Sequence, residues 1–408
     1  MFIIGPQIIL SMLLQISIVL NRFSLNRSCS DKPPTDIHDV ATEGKPRATE
    51  DISRLLEDAV TQDTSKDTGW LSSIYSEGAS LNVQGRHAHR PKVNPSETSI
   101  ILFPGQGTLK VGDVKEYLRF PDAKNLFEIA NEVLEYDLLK ICLEGPAELL
   151  NRTEYNQLAT VVTTLAALEK LKEERPRAME TCIAIAGYSV GEITALIFSG
   201  AISFEAGIRL VRIRAAAMQD AATITPQGMM SVNYTPAANI SDICTKAKNW
   251  ALDTGVESPE CRVSIYLHPD MKIIAGSEEA LKYIETNKKQ FGIRRTSRLP
   301  TSGAFHTSLM KPAMDIFSKA LKTVKFEMPQ VPVYSNIDGK PYRNVQQISR
   351  HLLKHLVSPV KWEQTMHTLY MRPQGTAFPR TFDVGSKGTL KVLLKNVNAK
   401  AWDSCFVI

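Results

Sequence analysis

The sequence predicts an α/β protein: a hydrolase-like core on a mainly parallel sheet, with an inserted ferredoxin-like βαββαβ subdomain. Short apolar runs that end at Pro or Gly alternate with segments of helical apolar spacing, which is typical of parallel strands covered by helices on both faces. Between residues 226 and 300 the order changes to strand, helix, two strands, helix and strand. With 43% hydrophobic and 22% charged residues, the 408-residue chain is neither fully disordered, collagen-like nor a polytopic membrane protein.

Charge and cysteine content narrow the possible functions. The 48 Lys and Arg residues against 43 Asp and Glu give a formal charge of +5, and no Lys/Arg-rich run favours nucleic-acid binding. This mild surplus suits an acidic partner, such as a phosphorylated cofactor or an acidic carrier protein. The six cysteines lie far apart without a CxxC pair, which indicates reduced thiols and no zinc site.

The first 20 residues carry no charge, are mostly apolar, and precede the first acidic residue, Asp31. A signal peptide or membrane anchor fits the length of this stretch, although it lacks a basic n-region and contains Pro6. An organelle presequence fits equally, because residues 12–28 contain Arg and Ser but no acid. Both interpretations stay open on these residues alone.

Residues 28–97 are predicted to form a mostly polar linker with one short helix, at 52–60, where the apolar spacing is helical. His87 and His89 form an HxH pair in a polar segment without nearby cysteines or clustered carboxylates. This context favours a solvated loop over a metal site.

The larger subdomain is predicted to comprise residues 98–225 and 301–408. Its strands are predicted at 99–103, 182–186, 331–334 and 381–384, and its helices at 114–127, 156–173 and 192–198. The small subdomain is predicted to span 226–300. Its strands are predicted at 228–233, 261–267, 272–276 and 294–299, and its helices at 237–252 and 278–290.

The strongest local motif is Gly-Tyr-Ser-Val-Gly at 187–191, between a predicted strand and a predicted helix. A strand that turns sharply into a helix projects its serine outward, and flanking glycines tolerate the crowded backbone. The N-terminal amides of the helix would face a developing oxyanion. The motif therefore predicts Ser189 as a nucleophile, with a purely structural turn as the alternative.

A serine hydroxyl needs a base within hydrogen-bonding distance, and the chain has eight histidines. His351 and His355 lie four apart on a predicted helix, without the Glu and third ligand of a zinc protease site, and are interpreted as a solvated or capping face. His306 lies between a strand exit and the next helix. From there it can reach a nucleophile at the same edge of the sheet.

Five motifs occur in order: Phe-Pro-Gly-Gln-Gly at 103–107, Gly-Tyr-Ser-Val-Gly-Glu at 187–192, Ile-Arg-Ala-Ala-Ala-Met at 213–218, Ser-Gly-Ala-Phe-His at 302–306 and Ser-Pro-Val-Lys-Trp at 358–362. Together they resemble the malonyl-CoA:acyl carrier protein transacylases, and the resemblance covers about residues 98 to 402. The long leader, the Val after the serine and the closing residues 395–402 look like the mitochondrial branch of that family.

The resemblance implies a role for each matching residue. Ser189 would carry the malonyl group as an ester, and His306 would act as general base and then as general acid. The backbone amides of Gln106 and Val190 would form the oxyanion hole. Arg214 would bind the free malonyl carboxylate in a bidentate pair, for which a planar guanidinium is suited.

Two further roles follow from the resemblance. Similar enzymes orient the histidine with a main-chain carbonyl in place of a triad carboxylate, and by motif position that carbonyl would be that of Lys361. Phe305 resembles the residue that accompanies malonyl use, because a bulky ring would crowd the extra methyl of methylmalonyl by about 1–3 kcal/mol. An ordinary core phenylalanine is the alternative for Phe305.

The implied function is malonyl transfer from malonyl-CoA to the phosphopantetheine thiol of acyl carrier protein, in mitochondrial fatty acid synthesis. The resemblance implies no cofactor, no metal, no nucleic-acid partner and no stable membrane insertion of the mature protein. It favours residues 1–27 as a presequence for the mitochondrial matrix, with the start at Met1 or Met12 left open. A serine esterase or thioesterase and a non-catalytic acyl-binding scaffold are the alternatives.

A cluster of basic residues on the small subdomain leads toward the predicted active site. Such a run is usually a solvated face, but here it is also a candidate docking surface for the carrier protein or CoA. Its members are Lys288, Lys289, Arg294, Arg295 and Arg298.

Overall fold

The computed structural model describes residues 93–408. The predicted presequence, most of the predicted linker with its helix at 52–60, and the pair His87 and His89 lie outside the described residues. Both predicted subdomains lie within them.

Nine strands are present in this part: β1 Ser99–Phe103, β2 Cys182–Gly187, β3 Gln227–Tyr234, β4 Cys261–His268, β5 Met271–Ser277, β6 Ile293–Arg298, β7 Val333–Tyr334, β8 Arg380–Asp383 and β9 Cys405–Val407. The first seven α-helices of this part are α1 Pro121–Leu134, α2 Leu138–Glu144, α3 Ala147–Asn151, α4 Thr153–Glu174, α5 Pro176–Glu180, α6 Gly191–Phe198 and α7 Phe204–Thr223. The other seven are α8 Ile240–Asp253, α9 Glu278–Asn287, α10 Pro312–Thr323, α11 Val345–His355, α12 Trp362–Tyr370, α13 Thr389–Val397 and α14 Ala399–Trp402. Among the helices described, none is both long and apolar enough to cross a membrane.

The larger sheet has five parallel strands in the order β7-β2-β1-β8-β9. Every residue of the central strand β1 is buried, as expected for a strand covered on both faces. The register places Phe103, at the end of β1, beside Gly187, at the end of β2. The predicted parallel sheet is confirmed, and the loops that leave β1 and β2 emerge together at its carboxyl edge.

The smaller sheet is antiparallel, with the order β4-β5-β3-β6. Together with α8 and α9 these strands follow the predicted βαββαβ sequence, and the strand order is that of a ferredoxin-like unit. Its core joins residues of the sheet to residues of both helices, including Val232, Ile243, Ala247, Ile274 and Leu281. The predicted inserted subdomain is therefore confirmed as a fold.

The segment after α11 connects the small sheet to the larger subdomain. Val360 forms a parallel bridge with Ile265 of β4. Its carbonyl accepts from Tyr266 N–H at 2.9 Å, and its own N–H donates to the carbonyl of Ser264 at 2.9 Å. Strand β4 lies at an edge of its sheet, so this pairing covers that edge and fixes the segment between α11 and α12.

One predicted helix differs from the structure, and one strand was missed. The helix predicted at 114–127 is instead a short 3₁₀ helix, Asp113–Glu116, followed by α1 from Pro121. Proline inside a helix lacks the N–H donor and clashes with the preceding turn, but it is well suited to the first helical position. Strand β9 was not predicted, because three residues are too few to give a recognisable period.

Candidate active site

Ser189 lies in the tight turn between β2 and α6, with a positive φ of 53°. A Cβ atom added to Gly187 would lie 1.9 Å from the carbonyl oxygen of Gly191. One added to Gly191 would lie 2.4 Å from the carbonyl oxygen of Pro104. Both glycines are therefore required by the close backbone approach, and the turn holds the half-buried serine at the carboxyl edge of the sheet.

The structure brings Ser189 and His306 together. The Ser189 Oγ atom lies 2.9 Å from Nε2 of His306, whose side chain is buried. The other ring nitrogen, Nδ1, lies 2.7 Å from the carbonyl oxygen of His355. Since a carbonyl can only accept, Nδ1 carries the proton and Nε2 presents its lone pair to the serine hydroxyl. This is the arrangement that a general base requires.

The electrostatic surroundings keep His306 neutral. Burial and, to a smaller extent, the positive charge of Arg214 lower the pKa of His306 to about 3, although the hydrogen bond to the His355 carbonyl opposes them. A neutral imidazole is the form that can accept the serine proton. The base is therefore ready to act throughout the physiological pH range.

Gln106 and Val190 lie in the two loops that leave the ends of β1 and β2. The loops are joined by a hydrogen bond of 2.9 Å from Tyr188 N–H to the carbonyl of Phe103. Among the described residues, neither the Gln106 N–H nor the Val190 N–H donates to another protein group. The Gln106 side chain is held separately, because its Nε2 donates to Thr153 Oγ1 at 3.2 Å. Each of the two joined loops therefore has one backbone N–H that no protein group uses in the part of the chain described.

Arg214 lies on α7 and is 2% exposed. One terminal nitrogen, Nη1, donates to Oε1 of Gln157, while Nη2 is buried without a partner in the part of the chain described. Burial lowers the pKa of Arg214 to about 10, so the group is still a cation at neutral pH. A buried cation is unfavourable unless an anion lies close to it. The charge of Glu192 raises the pKa of Arg214, but none of the ion pairs found among residues 93–408 involves Arg214. The site is therefore complementary to an anionic group supplied by a bound molecule.

Residues 100–378 match the acyl transferase domain family, which is more than half of the chain. The chain belongs to the acyl transferase family. Its Ser189–His306 pair has the geometry that a nucleophile and its base need for acyl transfer.

The chain is similar to known malonyl transacylases over most of its length. The acyl transferase is 55% identical over 317 residues to a probable mitochondrial malonyl-CoA-acyl carrier protein transacylase of Drosophila melanogaster, covering 78% of this chain and 84% of that one. The solved malonyl CoA-acyl carrier protein transacylase of Coxiella burnetii is 26% identical, with a TM-score of 0.69, covering 78% of this chain and 95% of that one. A malonyl-transacylase solved in complex with its type II PKS acyl-carrier protein is 28% identical, with a TM-score of 0.67 and coverages of 76% and 96%.

The carbonyl that orients the base is that of His355, so the prediction for Lys361 is wrong. His355 is the last residue of α11, where carbonyls lack a partner within the helix. Lys361 instead precedes the first residue of α12, and its carbonyl accepts from Thr365 N–H at 2.9 Å and from the Thr365 hydroxyl at 2.7 Å. A carbonyl at the start of a helix accepts the first hydrogen bond within that helix, so it is not available to orient a side chain.

The prediction of a solvated or capping face for His351 and His355 is wrong, because both side chains are buried. Nδ1 of His351 lies 3.0 Å from Ser335 Oγ, and Nδ1 of His355 lies 3.3 Å from Oε2 of Glu192. Their partners are distant in sequence, so the spacing of the two histidines alone could not identify them. The sequence did offer one signal for His355: a helix that ends shortly before Ser358-Pro359 leaves the carbonyl groups of its last turn without helical partners.

Two other residues of the site were missed. Gln157 orients Arg214 through its Oε1, and a glutamine buried within the apolar helix α4 was the signal for it. Asn336 binds the nucleophile turn on both sides: its Oδ1 accepts from Ser189 N–H at 2.8 Å, and its Nδ2 donates to the Gly187 carbonyl at 2.7 Å. No local pattern marks Asn336, because its partners lie almost 150 residues away.

The described residues outside this site show no second candidate for an active site or a metal site. In the described residues, no cluster of three or more His, Cys, Asp or Glu side chains could hold a metal ion. A surface cavity of about 400 Å³ is lined by residues of β3, β6 and α9. Its Arg298 is already paired with Glu278 at 3.0 Å and with Glu285 at 2.8 Å. It contains no nucleophile paired with a base.

We expect the acylation rate of Ser189 to be nearly independent of pH on the acidic side. Because the pKa of His306 is lowered to about 3, the base stays unprotonated where an ordinary imidazole becomes charged. The single-turnover rate at about pH 5.5 should stay within about threefold of the rate at about pH 7.5, with circular dichroism confirming that the protein remains folded. A roughly tenfold fall would indicate a base with the ordinary pKa of about 6.5 and contradict this expectation.

Proposed function

We infer that this acyl transferase moves a malonyl group from malonyl-CoA to the phosphopantetheine thiol of acyl carrier protein. The observation that carries the proposal is a Ser–His pair at 2.9 Å in a site with a buried arginine, whose Nη2 has no hydrogen-bond partner among the described residues. The names of the Drosophila and Coxiella relatives support the same donor and acceptor. The neighbour solved with its acyl-carrier protein supports a protein acceptor.

The first half-reaction acylates the enzyme. Ser189 Oγ attacks the thioester carbonyl carbon of malonyl-CoA while its proton passes to Nε2 of His306. The negative charge on the carbonyl oxygen is stabilised by the N–H groups of Gln106 and Val190. The carbon–sulfur bond then breaks, the CoA thiolate takes the proton from Nε2, and a malonyl ester remains on Ser189.

The second half-reaction runs the same steps with the carrier protein. His306 Nε2 accepts the proton of the phosphopantetheine thiol, and the sulfur attacks the ester carbonyl. The same two backbone donors stabilise the second oxyanion. The ester bond to Ser189 breaks, and Oγ recovers its proton from Nε2. The enzyme returns to its starting state with no cofactor consumed.

Arg214 selects the acyl group in this proposal. The carboxylate of the malonyl group would take the free Nη2 donor of the guanidinium, with Gln157 fixing the other nitrogen. A neutral lipid ester offers no such anion, which disfavours a lipase-like esterase. Phe305, buried directly before His306, would restrict space near the second carbon of the malonyl group.

The test of this function is the fate of the acyl group. Incubation with malonyl-CoA should give a malonyl adduct in the intact mass of the protein, and addition of phosphopantetheinylated acyl carrier protein should remove the adduct and malonylate the carrier. Release of CoA without adduct and without acceptor would indicate a hydrolase instead. An unchanged mass with no CoA release would indicate a non-catalytic scaffold.

The proposed docking surface for the acidic carrier or CoA includes Arg294 and Arg295. Both are exposed on β6, which is an edge strand of the small sheet, and neither is ion-paired within the described part. Arg298 does not add to this surface charge, because Glu278 and Glu285 neutralise it. The remaining basic residues, Lys288 and Lys289, follow α9 on the way to β6.

We expect the double reversal Arg294→Glu with Arg295→Glu to raise the KM for the carrier protein or for malonyl-CoA at least about tenfold at low ionic strength. The effect should shrink as salt is added, because exposed charges are screened. The control reverses Lys322, in the last turn of α10, and Lys325, which are also exposed. Lys325 pairs with Glu327, whose N–H donates to the carbonyl of Ala201, just after the end of α6 that is remote from the nucleophile. Unchanged KM values for both substrates at low salt would exclude this surface from docking.

The proposed location is the mitochondrial matrix, in fatty acid synthesis. The Drosophila relative is named as mitochondrial. The acid-free composition of residues 12–28 supports a presequence.

A further inference from the structure

Glu192 is a buried carboxylate behind the nucleophile. It lies in the first turn of α6, three residues after Ser189, and is 1% exposed. Its Oε1 accepts from the hydroxyl of Tyr342. Its Oε2 accepts from Asn336 N–H at 3.2 Å and lies 3.3 Å from Nδ1 of His355. Such complete burial of a carboxylate is unfavourable unless its partners compensate for the lost solvation.

Two partners of Glu192 each contact one member of the catalytic pair. The Asn336 side chain binds the backbone of the nucleophile turn at Ser189 N–H and at the Gly187 carbonyl. His355 supports His306 twice: its carbonyl accepts from Nδ1 at 2.7 Å, and its ring stacks on the His306 ring with 4.6 Å between centroids and 26° between planes. One carboxylate thus connects the supports of both catalytic groups.

Burial shifts the pKa values of His355 and Glu192 in opposite directions, toward the neutral form of each. Burial lowers the pKa of His355 well below the ordinary value, and the neighbouring His306 and Arg214 lower it further. A neutral His355 can donate from Nδ1 to Glu192, and its Nε2 has no partner among the described residues. Burial raises the pKa of Glu192 to about 7, while the hydrogen bonds from Tyr342 and Asn336 oppose that rise.

We propose that Glu192 and His355 are positioning residues for the Ser189–His306 pair, with Glu192 acting on the base through the His355 ring and on the nucleophile through Asn336. In a Ser-His-Asp triad the carboxylate binds Nδ1 of the base directly. Here a main-chain carbonyl occupies that position, and the carboxylate lies one residue further back. The inference relies on the proposed function only for the identity of the acyl donor.

The test compares His355→Ala with His355→Gln. Alanine keeps the backbone carbonyl but removes the stacked ring and the donor to Glu192, so the base loses its lateral support. We expect the labelling rate of Ser189 by a small fluorophosphonate to fall about 10- to 100-fold, with a matching fall in kcat for malonyl transfer and little change in KM. Glutamine can donate an amide N–H to Glu192, so His355→Gln should recover most of the rate.

His351→Ala is the matched control. It removes the same ring from the same helix, one turn earlier, where the ring contacts Ser335 and Tyr342 and touches neither Glu192 nor His306 directly. Equal slowing in His351→Ala and His355→Ala would show a general loss of packing, and wild-type labelling in both His355 variants would also overturn the proposal. Labelling needs no malonyl-CoA, so a wild-type protein that is labelled but transfers no malonyl would refute the proposed function and leave this inference standing.

Discussion

Ser189→Ala is expected to abolish the malonyl adduct and to lower transfer to the carrier protein by on the order of 10³-fold or more. Oγ of Ser189 is the hydroxyl that lies 2.9 Å from Nε2 of His306, so alanine leaves the base without a nucleophile to activate. The fold should survive, because the backbone contacts of the turn to Asn336 do not involve the hydroxyl. Intact mass after incubation with malonyl-CoA measures the adduct, and release of free CoA measures turnover.

The second half of this test uses His306→Ala and the double variant. If Ser189 and His306 act as one unit, the double variant should transfer malonyl no more slowly than either single variant. The thermal unfolding transition of each variant serves as the control for folding. A stable adduct in Ser189→Ala, or multiplied losses in the double variant, would mean that the acyl group is carried elsewhere.

The serine and histidine of the candidate site could be predicted because their signals are local. Gly187 and Gly191 are needed by a turn that also fixes Ser189, so strand, glycines, serine and helix occur within one short motif. Such a motif can be recognised in the sequence without knowledge of the tertiary structure. The position of His306, after the inserted subdomain, indicated that it lies at the same sheet edge as Ser189. It did not indicate the distance between the two side chains.

The orienting carbonyl could not be predicted in this way, because it depends on where two helices end and begin. His355 and Lys361 are six residues apart and lie on either side of Ser358-Pro359, so sequence position alone favours neither. The difference arises because α11 ends at His355 and leaves its carbonyl free, while α12 uses the carbonyl of Lys361. Helix ends are the least certain feature of any sequence-based assignment.

The role of Arg214 had an unused signal in the sequence. Arg209, Arg212 and Arg214 lie on one helix, and the first two are exposed. Arg214 falls instead on the buried stripe that includes Gly207, Leu210, Val211 and Met218. A charged residue on an apolar stripe must either be paired within the fold or serve a ligand. Its helical position therefore distinguishes it from its neighbours without any family motif.

The substitution Arg214→Met should lower kcat/KM for malonyl-CoA by about 10²- to 10³-fold, because the carboxylate would enter a buried site without a positive charge. The same change should affect acetyl-CoA much less, since an acetyl group has no carboxylate to bind. The enzyme should thus lose its preference for the charged acyl group. The measurement is the rate of CoA release with malonyl-CoA and acetyl-CoA side by side, each with the same carrier protein.

Arg214→Lys separates charge from geometry. Lysine keeps the positive charge but cannot bind Gln157 with one nitrogen and a carboxylate with another from a single rigid plane. We therefore expect Arg214→Lys to retain some preference for malonyl over acetyl while recovering only part of the malonyl rate. Equal losses for malonyl-CoA and acetyl-CoA in both variants would contradict a carboxylate-binding role, because a guanidinium that serves only packing cannot distinguish the two acyl groups.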